Sequence, residues 1–68
     1  MNMPNWSPNE QYVFYTDARY RAWIIREETK QQYLLPVDGR DVIQTRWSAD
    51  SRFLAIRYED SIEIYEVK

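Results

Sequence analysis

Two stretches of the chain decide its fold: residues 6–14 read WSPNEQYVF, and residues 47–55 read WSADSRFLA. The second begins 47 − 6 = 41 residues after the first. Each copy opens with Trp-Ser, passes through a turn that contains Asn or Asp, and enters a strand that begins with an aromatic residue. Because Asn and Asp tolerate the positive φ that tight turns need, we expect Asn9 and Asp50 to adopt it.

A second extended segment follows each copy, at residues 21–25 and 62–67. A unit of tryptophan, turn and two strands that recurs after about 40 residues is typical of β-propeller blades. The pattern therefore predicts two repeat-like units, residues 6–35 and 47–67, within one small β domain that spans residues 1–68.

The repeat resembles the WD40-like blades of the TolB and prolyl-oligopeptidase type, which carry the motif W-S-P-D-G-(K/R)-x-(I/L)-A between their first two strands. Residues 47–55 match this motif well and residues 6–13 match it less closely. Both copies lack the motif's glycine, which is replaced by Glu10 and Ser51. The resemblance implies a blade-like sheet and no particular activity.

The length of the chain sets a limit on this resemblance. A chain of 68 residues holds about 1.7 such repeats, whereas closed propellers have four to eight blades. The first unit lacks most of its innermost strand and the second lacks its outermost strand. We therefore expect unpaired strand edges, which another copy, a partner or a curled, barrel-like sheet would have to cover.

The whole chain is predicted to be an all-β antiparallel meander of about six short strands that resembles one and a half propeller blades. The connections between strands are short enough for hairpins, and the sequence Pro36–Gly39 is typical of a turn. The predicted strands are residues 12–16, 20–27, 31–35, 42–47, 52–58 and 62–67.

A helix over residues 17–35 is the main structural alternative, since this segment is rich in good helix formers and Asp17 could cap it. A helix packed on a core needs an apolar residue near positions 27, 28 or 31. These positions hold Glu27, Glu28 and Gln31, so the apolar stripe is interrupted and strands are favoured.

Composition argues against catalysis. The chain has no cysteine and no histidine, which removes the usual nucleophile, general base and soft metal ligands. No G-x-S-x-G motif surrounds any serine. Pairs of carboxylates at 38 and 41 and at 59 and 60 lack the spacing of a calcium loop and are expected to cap turns. We therefore predict no enzyme, no cofactor and no metal site.

Charge and hydropathy narrow the possible partners. The net charge is −2, so nucleic acid is an unfavourable partner despite the arginines and aromatic residues interleaved at 19–26. Residues 22–25 form the longest apolar run, too short to span a bilayer. Residues 1–5 lack the basic and apolar regions of an export signal. We expect no membrane partner and a cytoplasmic protein.

The remaining prediction is a protein-interaction module that associates with itself or completes a sheet with a partner. Residues 52–58 alternate two largely apolar faces, which predicts a central strand covered on both sides. Trp6 and Trp47 are expected to wedge into the core, and Glu63 and Glu66 to protect a terminal edge strand. The predicted contact residues are exposed aromatic and arginine side chains of the second and third strands: Tyr20, Arg21, Trp23 and Tyr33.

Two other functions remain open at the level of sequence. The first is a small acidic monomeric inhibitor or adaptor, in the manner of compact viral or plasmid-encoded regulators, that binds another macromolecule. The second is a single-stranded nucleic-acid binder. The chain could also be a fragment of a larger propeller.

Overall fold

The computed structural model describes residues 4–67 and shows an all-β chain with two antiparallel sheets. The first, here called the N-sheet, has four strands in sequential order, and the second, the C-sheet, has three. A short 3-10 turn at Gly39–Asp41 joins them. The strands are β1 (Asn5–Trp6), β2 (Tyr12–Thr16), β3 (Arg21–Arg26), β4 (Gln31–Asp38), β5 (Gln44–Trp47), β6 (Phe53–Arg57) and β7 (Ile62–Glu66).

The predicted meander is confirmed, and every predicted strand is present within a few residues of its expected bounds. The helical alternative over residues 17–35 is wrong, because these residues form β3 and β4 with hairpin turns before and between them. The short β1 was not predicted. Most of the N-terminal stretch used for the export-signal argument lies outside the described residues.

The two Trp-Ser turns have the same hydrogen bonds. The Ser7 N–H donates to Tyr12 O at 2.9 Å, and the Glu10 N–H donates to Ser7 O at 2.9 Å. The Ser48 N–H donates to Phe53 O and the Ser51 N–H to Ser48 O, also at 2.9 Å. The internal repeat is therefore a structural repeat with an offset of 41 residues.

The left-handed residue in each turn is not the one that the sequence predicted. Glu10 has φ 61° and Ser51 has φ 62°, so these two residues, and not Asn9 or Asp50, take the positive φ. Asn9 and Asp50 instead use a side-chain oxygen to accept the N–H of the residue two positions later, at 3.0 and 3.1 Å. This hydrogen bond closes an Asx turn, which fixes the left-handed residue one position after the Asx residue.

The predicted turn at Pro36–Gly39 is also wrong, because β4 stays extended through Asp38. Gly39 does not have a positive φ. A Cβ atom there would lie 2.8 Å from Thr16 Cγ2 and 2.8 Å from Tyr20 O. Glycine is needed at this position because the chain passes too close to β2 and to the following turn for any side chain.

The core lies between the inner faces of the two sheets. The N-sheet contributes Tyr12, Phe14, Ala22 and Ile24, and the C-sheet contributes Trp47, Leu54 and Ile56. The Trp47 and Tyr12 rings stack with centroids 6.1 Å apart and an interplanar angle of 21°. Trp47 thus fills the core as predicted, whereas the prediction is wrong for Trp6, whose side chain is 47% exposed.

Hydrogen bonds hold the two sheets in register at their first strands. The Trp47 indole Nε1 donates to Asn5 O at 2.9 Å, and Asn5 Nδ2 donates to Thr45 O at 3.1 Å and to Thr45 Oγ1 at 2.7 Å. The Asn9 N–H donates to Ser51 Oγ at 3.0 Å. β1 and β5 therefore lie side by side along one margin of the interface.

β6 is the central strand of the C-sheet, as expected, but the described chain covers only one of its faces. Leu54 and Ile56 are fully buried on the inner face, while Phe53 and Ala55 are half-buried on the other. β7 is an edge strand, as expected, and β4 is the edge of the N-sheet. The architecture leaves both outer faces and both of these edges without a neighbour among the described residues.

Candidate functional site

The outer face of the C-sheet is open and carries exposed apolar side chains. β-ladder pairing places Ala55 opposite Ile64 and Arg57 opposite Ile62, so these residues share this face with Phe53. Ile62 and Ile64 are 61% and 60% exposed. Exposed apolar patches of this kind mark interaction surfaces in soluble proteins.

A shallow hollow of about 170 Å³ lies on this face, close to the Trp-Ser turn. The Arg52 guanidinium carbon lies 5.5 Å from the centroid of the Phe53 ring, and Arg52 also pairs with Glu66 at 3.0 Å. Arg46 also lies on this face, opposite Ala55, so the hollow has apolar residues with arginine side chains beside them. The hollow is lined by Arg46, Trp47, Ser48, Phe53, Ala55 and Ile64.

The outer face of the N-sheet is also apolar. Trp6 pairs with Val13, and Val13 pairs with Ile25, so these three side chains form one row across the sheet. A second row contains Tyr15, Trp23 and Leu34. Trp6 and Leu34 are each about half exposed, which gives this face two protruding apolar side chains.

Three of the four predicted contact residues lie near the turn between β2 and β3. Tyr20 is exposed in this turn with φ 62° and lies under the Arg40 guanidinium at 5.4 Å. Arg21 lies over the ring of Trp23 at 5.9 Å. Tyr33 is separate, since it pairs with Ile24 and so lies on the opposite face of the N-sheet from Trp23. The structure does not bring all four onto one surface.

Asp17 organises the turn that holds Arg21 and Trp23. Its carboxylate accepts the Arg19 and Arg21 N–H groups at 2.8 and 2.9 Å, Arg21 Nε at 2.7 Å and Trp23 Nε1 at 3.0 Å. The hydrogen bond from Trp23 is the main reason that the pKa of Asp17 lies well below its ordinary value of 3.8. These contacts fix Trp23 on the outer face without making it a catalytic group.

Tyr33 lines a cleft of about 320 Å³ between the outer strands of the two sheets. Among the described residues the N-sheet has four strands and the C-sheet three, and the cleft lies between β4 and β7. Arg26 lies 5.1 Å from the centroid of the Tyr12 ring, and a hydrogen bond with Tyr33 raises the pKa of Arg26. The other lining residues are Ile24, Leu35, Tyr65, Glu66 and Val67.

Two half-buried tyrosines share one carboxylate partner. Tyr58 and Tyr65 both donate to Glu63 Oε1, at 2.7 and 3.2 Å. Burial is the first cause of a raised pKa for both phenols, which keeps them protonated. Within residues 4–67 no cluster of three or more acidic, histidine or cysteine side chains is placed to hold a metal ion.

Of the carboxylate pairs singled out in the sequence, Asp38 ends β4 and Asp41 ends the 3-10 turn that follows it, while Glu59 and Asp60 lie between β6 and β7. Asp38 accepts the Arg40 N–H at 2.9 Å and its guanidinium at 2.7 Å. These hydrogen bonds hold the pKa of Asp38 at about 2. Asp38 thus caps the 3-10 turn, in agreement with the predicted role in capping.

The chain matches no protein-family model, and comparisons with curated proteins and with solved structures gave no match. Residues 4–67 contain no helix with the length and hydropathy of a bilayer-spanning segment.

Lowering the pH is expected to destabilise the fold, mainly through Asp17. A carboxyl group whose pKa is lower in the folded chain than in the unfolded chain stabilises the fold above its ordinary pKa of 3.8, and this stabilisation is lost as the pH falls through the folded pKa. The urea midpoint should therefore fall from pH 7 to pH 3. Asp17→Asn should lower the midpoint at pH 7 and show a smaller fall.

Asp60→Asn, at an exposed carboxylate, is the matched control and should show the same fall as the wild type. An Asp17→Asn variant with an unchanged pH dependence would contradict the role assigned to Asp17.

Proposed function

We propose that the chain is a non-catalytic protein-interaction module that associates with further copies of itself. The supporting observation is a difference in exposure between equivalent positions of the two sheets. The pairs Phe14–Ile24 and Ala55–Ile64 occupy the same place in their ladders. Ile24 is 3% exposed, whereas Ile64 is 60% exposed. One face is buried within the chain, and its counterpart is not.

Size makes this exposure costly. A chain of 68 residues buries only about 60% of the surface that its unfolded form exposes, less than larger domains do, and is only marginally stable by itself. Covering Ile62 and Ile64 would remove apolar area from water at about 25 cal/mol per Å². Another copy of the chain offers a complementary apolar surface, the outer face of its N-sheet, and so supplies the missing second layer.

The edge strands support the same proposal in a different way. β7 carries Glu63 and Glu66, and Glu66 is paired with Arg52 at its rim. Charged side chains on an edge strand discourage uncontrolled strand pairing. Association through the faces, where Ile62 and Ile64 are exposed, is therefore favoured over association through the edges.

The wild type is expected to sediment as one discrete oligomer at micromolar concentration. Ile64→Lys should sediment at the mass of the 8.4 kDa chain, because a desolvated lysine on the covered face is unfavourable. Ile43→Lys is the matched control: Ile43 is 53% exposed but precedes β5 and lies outside both outer faces, so the oligomer should persist.

Far-UV circular dichroism of all three proteins should be the same, which separates loss of association from loss of folding. A wild type that sediments at the mass of a single chain over this concentration range would overturn the proposal and would favour a monomeric adaptor.

A further inference from the structure

We infer that the contact between copies is head-to-tail: Trp6 of one copy inserts into the hollow at Phe53, Ala55 and Ile64 of the next. This inference rests on the proposed self-association and specifies its geometry. The interface inside the chain provides the template, because its two sides are repeated, at an offset of 40 or 41 residues, on the two faces that remain open.

The first step is the correspondence between residues. Tyr12 on the inner face of the N-sheet corresponds to Phe53 on the outer face of the C-sheet, because each accepts the first hydrogen bond of its Trp-Ser turn. Trp47 on the inner face of the C-sheet corresponds to Trp6 on the outer face of the N-sheet, because each directly precedes the serine that begins its turn. The chain therefore has two surfaces that can receive a tryptophan and two that can supply one. One of each is used inside the chain, and one of each is open.

The second step is the state of each surface. Inside the chain, Trp47 stacks on Tyr12 at 6.1 Å and joins the buried cluster that contains Phe14 and Ile24. At the open end, Phe53, Ala55 and Ile64 occupy the places of Tyr12, Phe14 and Ile24. Ala55 is smaller than Phe14, and the hollow of about 170 Å³ lies there. No tryptophan of the described chain fills it from outside.

The third step is the exposure of the two tryptophans. Trp47 is buried and its Nε1 donates to Asn5 O at 2.9 Å. Trp6 protrudes from the outer face of its sheet, beside Val13 and Ile25. Applying the intrachain geometry to the next copy places Trp6 on the Phe53 ring and its Nε1 toward the backbone oxygen of Arg46, the counterpart of Asn5.

The contact so formed joins two different surfaces and is directional. Directional contacts produce rings when the rotation between copies closes and open filaments when it does not. With two blade-like sheets in each chain, a ring of four to eight blades contains two to four copies. Because the proposed function is a discrete oligomer, the rotation between copies has to close, and we expect a closed ring.

A complementation experiment with two variants tests this geometry. Trp6→Ser removes the inserted side chain but keeps the hollow, and Ile64→Lys blocks the hollow but keeps Trp6. Each variant alone should sediment at the chain mass of 8.4 kDa. An equimolar mixture, at up to about 100 µM to allow for a single weak contact, should show a doubled mass and nothing larger, because each pair retains one intact contact.

The controls distinguish this inference from the proposed function. A monomeric wild type overturns both. A wild-type oligomer that survives Trp6→Ser, or a mixture that stays monomeric, overturns the head-to-tail contact and leaves self-association in place. A symmetric contact between two C-sheet faces would give dimers of Trp6→Ser alone. A wild-type mass that grows without limit with concentration would overturn ring closure.

Discussion

Trp47→Ala is expected to lower the free energy of unfolding by about 3–5 kcal/mol. The substitution removes the ring that stacks on Tyr12 and the indole N–H that donates to Asn5 O. It therefore leaves a cavity between the two sheets and an unpaired backbone oxygen at β1. Since a chain of 68 residues is stable by about 3–10 kcal/mol in total, much of this variant should be unfolded in water.

Trp6→Ala is the matched variant, because Trp6 occupies the same position in the other repeat. Its side chain is half exposed, so its removal should cost the isolated chain about 1 kcal/mol. Urea unfolding followed by circular dichroism, at a concentration where the wild type is monomeric, measures both losses. Equal losses for the two variants would contradict the burial difference between the two tryptophans.

Ile56→Ala is expected to cost about 2–5 kcal/mol, because Ile56 is fully buried on the inner face of the C-sheet. Ile64→Ala removes the same atoms from the neighbouring strand but on the outer face. For the isolated chain this second change should cost about 0.5 kcal/mol or less. The two substitutions thus compare a covered and an open face of one sheet.

The dependence of the urea midpoint on protein concentration tests whether the open face is covered by another copy. Anything that binds the folded chain raises its apparent stability with concentration. The urea midpoint of the wild type should therefore rise with protein concentration, and that of Ile64→Ala should rise less. A midpoint that is independent of concentration in both proteins would contradict association through this face.

The positions of the strands could be predicted from the sequence because the signals are local. Hairpins follow from alternating apolar residues and from turns a few residues long. The repeat of Trp-Ser, turn and strand gave the correct equivalence between β2 and β6. The helical alternative over residues 17–35 was disfavoured in the sequence because Glu27 and Glu28 interrupt its apolar stripe. In the structure these two residues lie in the turn between β3 and β4.

The details of turns could not be predicted in this way. The sequence favoured positive φ at Asn9 and Asp50. Their side chains instead accept a local hydrogen bond, and the next residue in each turn, Glu10 or Ser51, takes the positive φ. The prediction of a turn at Pro36–Gly39 was wrong because glycine is needed at position 39 for lack of space and not for a positive φ. Thr16 and Tyr20, which exclude a side chain there, are distant in sequence.

The positions of the predicted contact residues also depend on the tertiary structure. Counting aromatic and arginine side chains identified Trp23 and Tyr33, but ladder register places them on opposite faces of the N-sheet. The open faces at Trp6 and Ile64 were missed. The repeat contained the signal that could have found them, because Trp6 and Trp47 are equivalent and the chain has an interior partner for only one of them.

The sequence by itself determined the strand order, the antiparallel pairing and the equivalence of the two repeats, since these depend on residues close together along the chain. Only the tertiary structure decided which of two equivalent tryptophans is buried and which faces are open. Two sheets that pack face to face bury one face each, and this geometry leaves Trp6 outside and Trp47 inside.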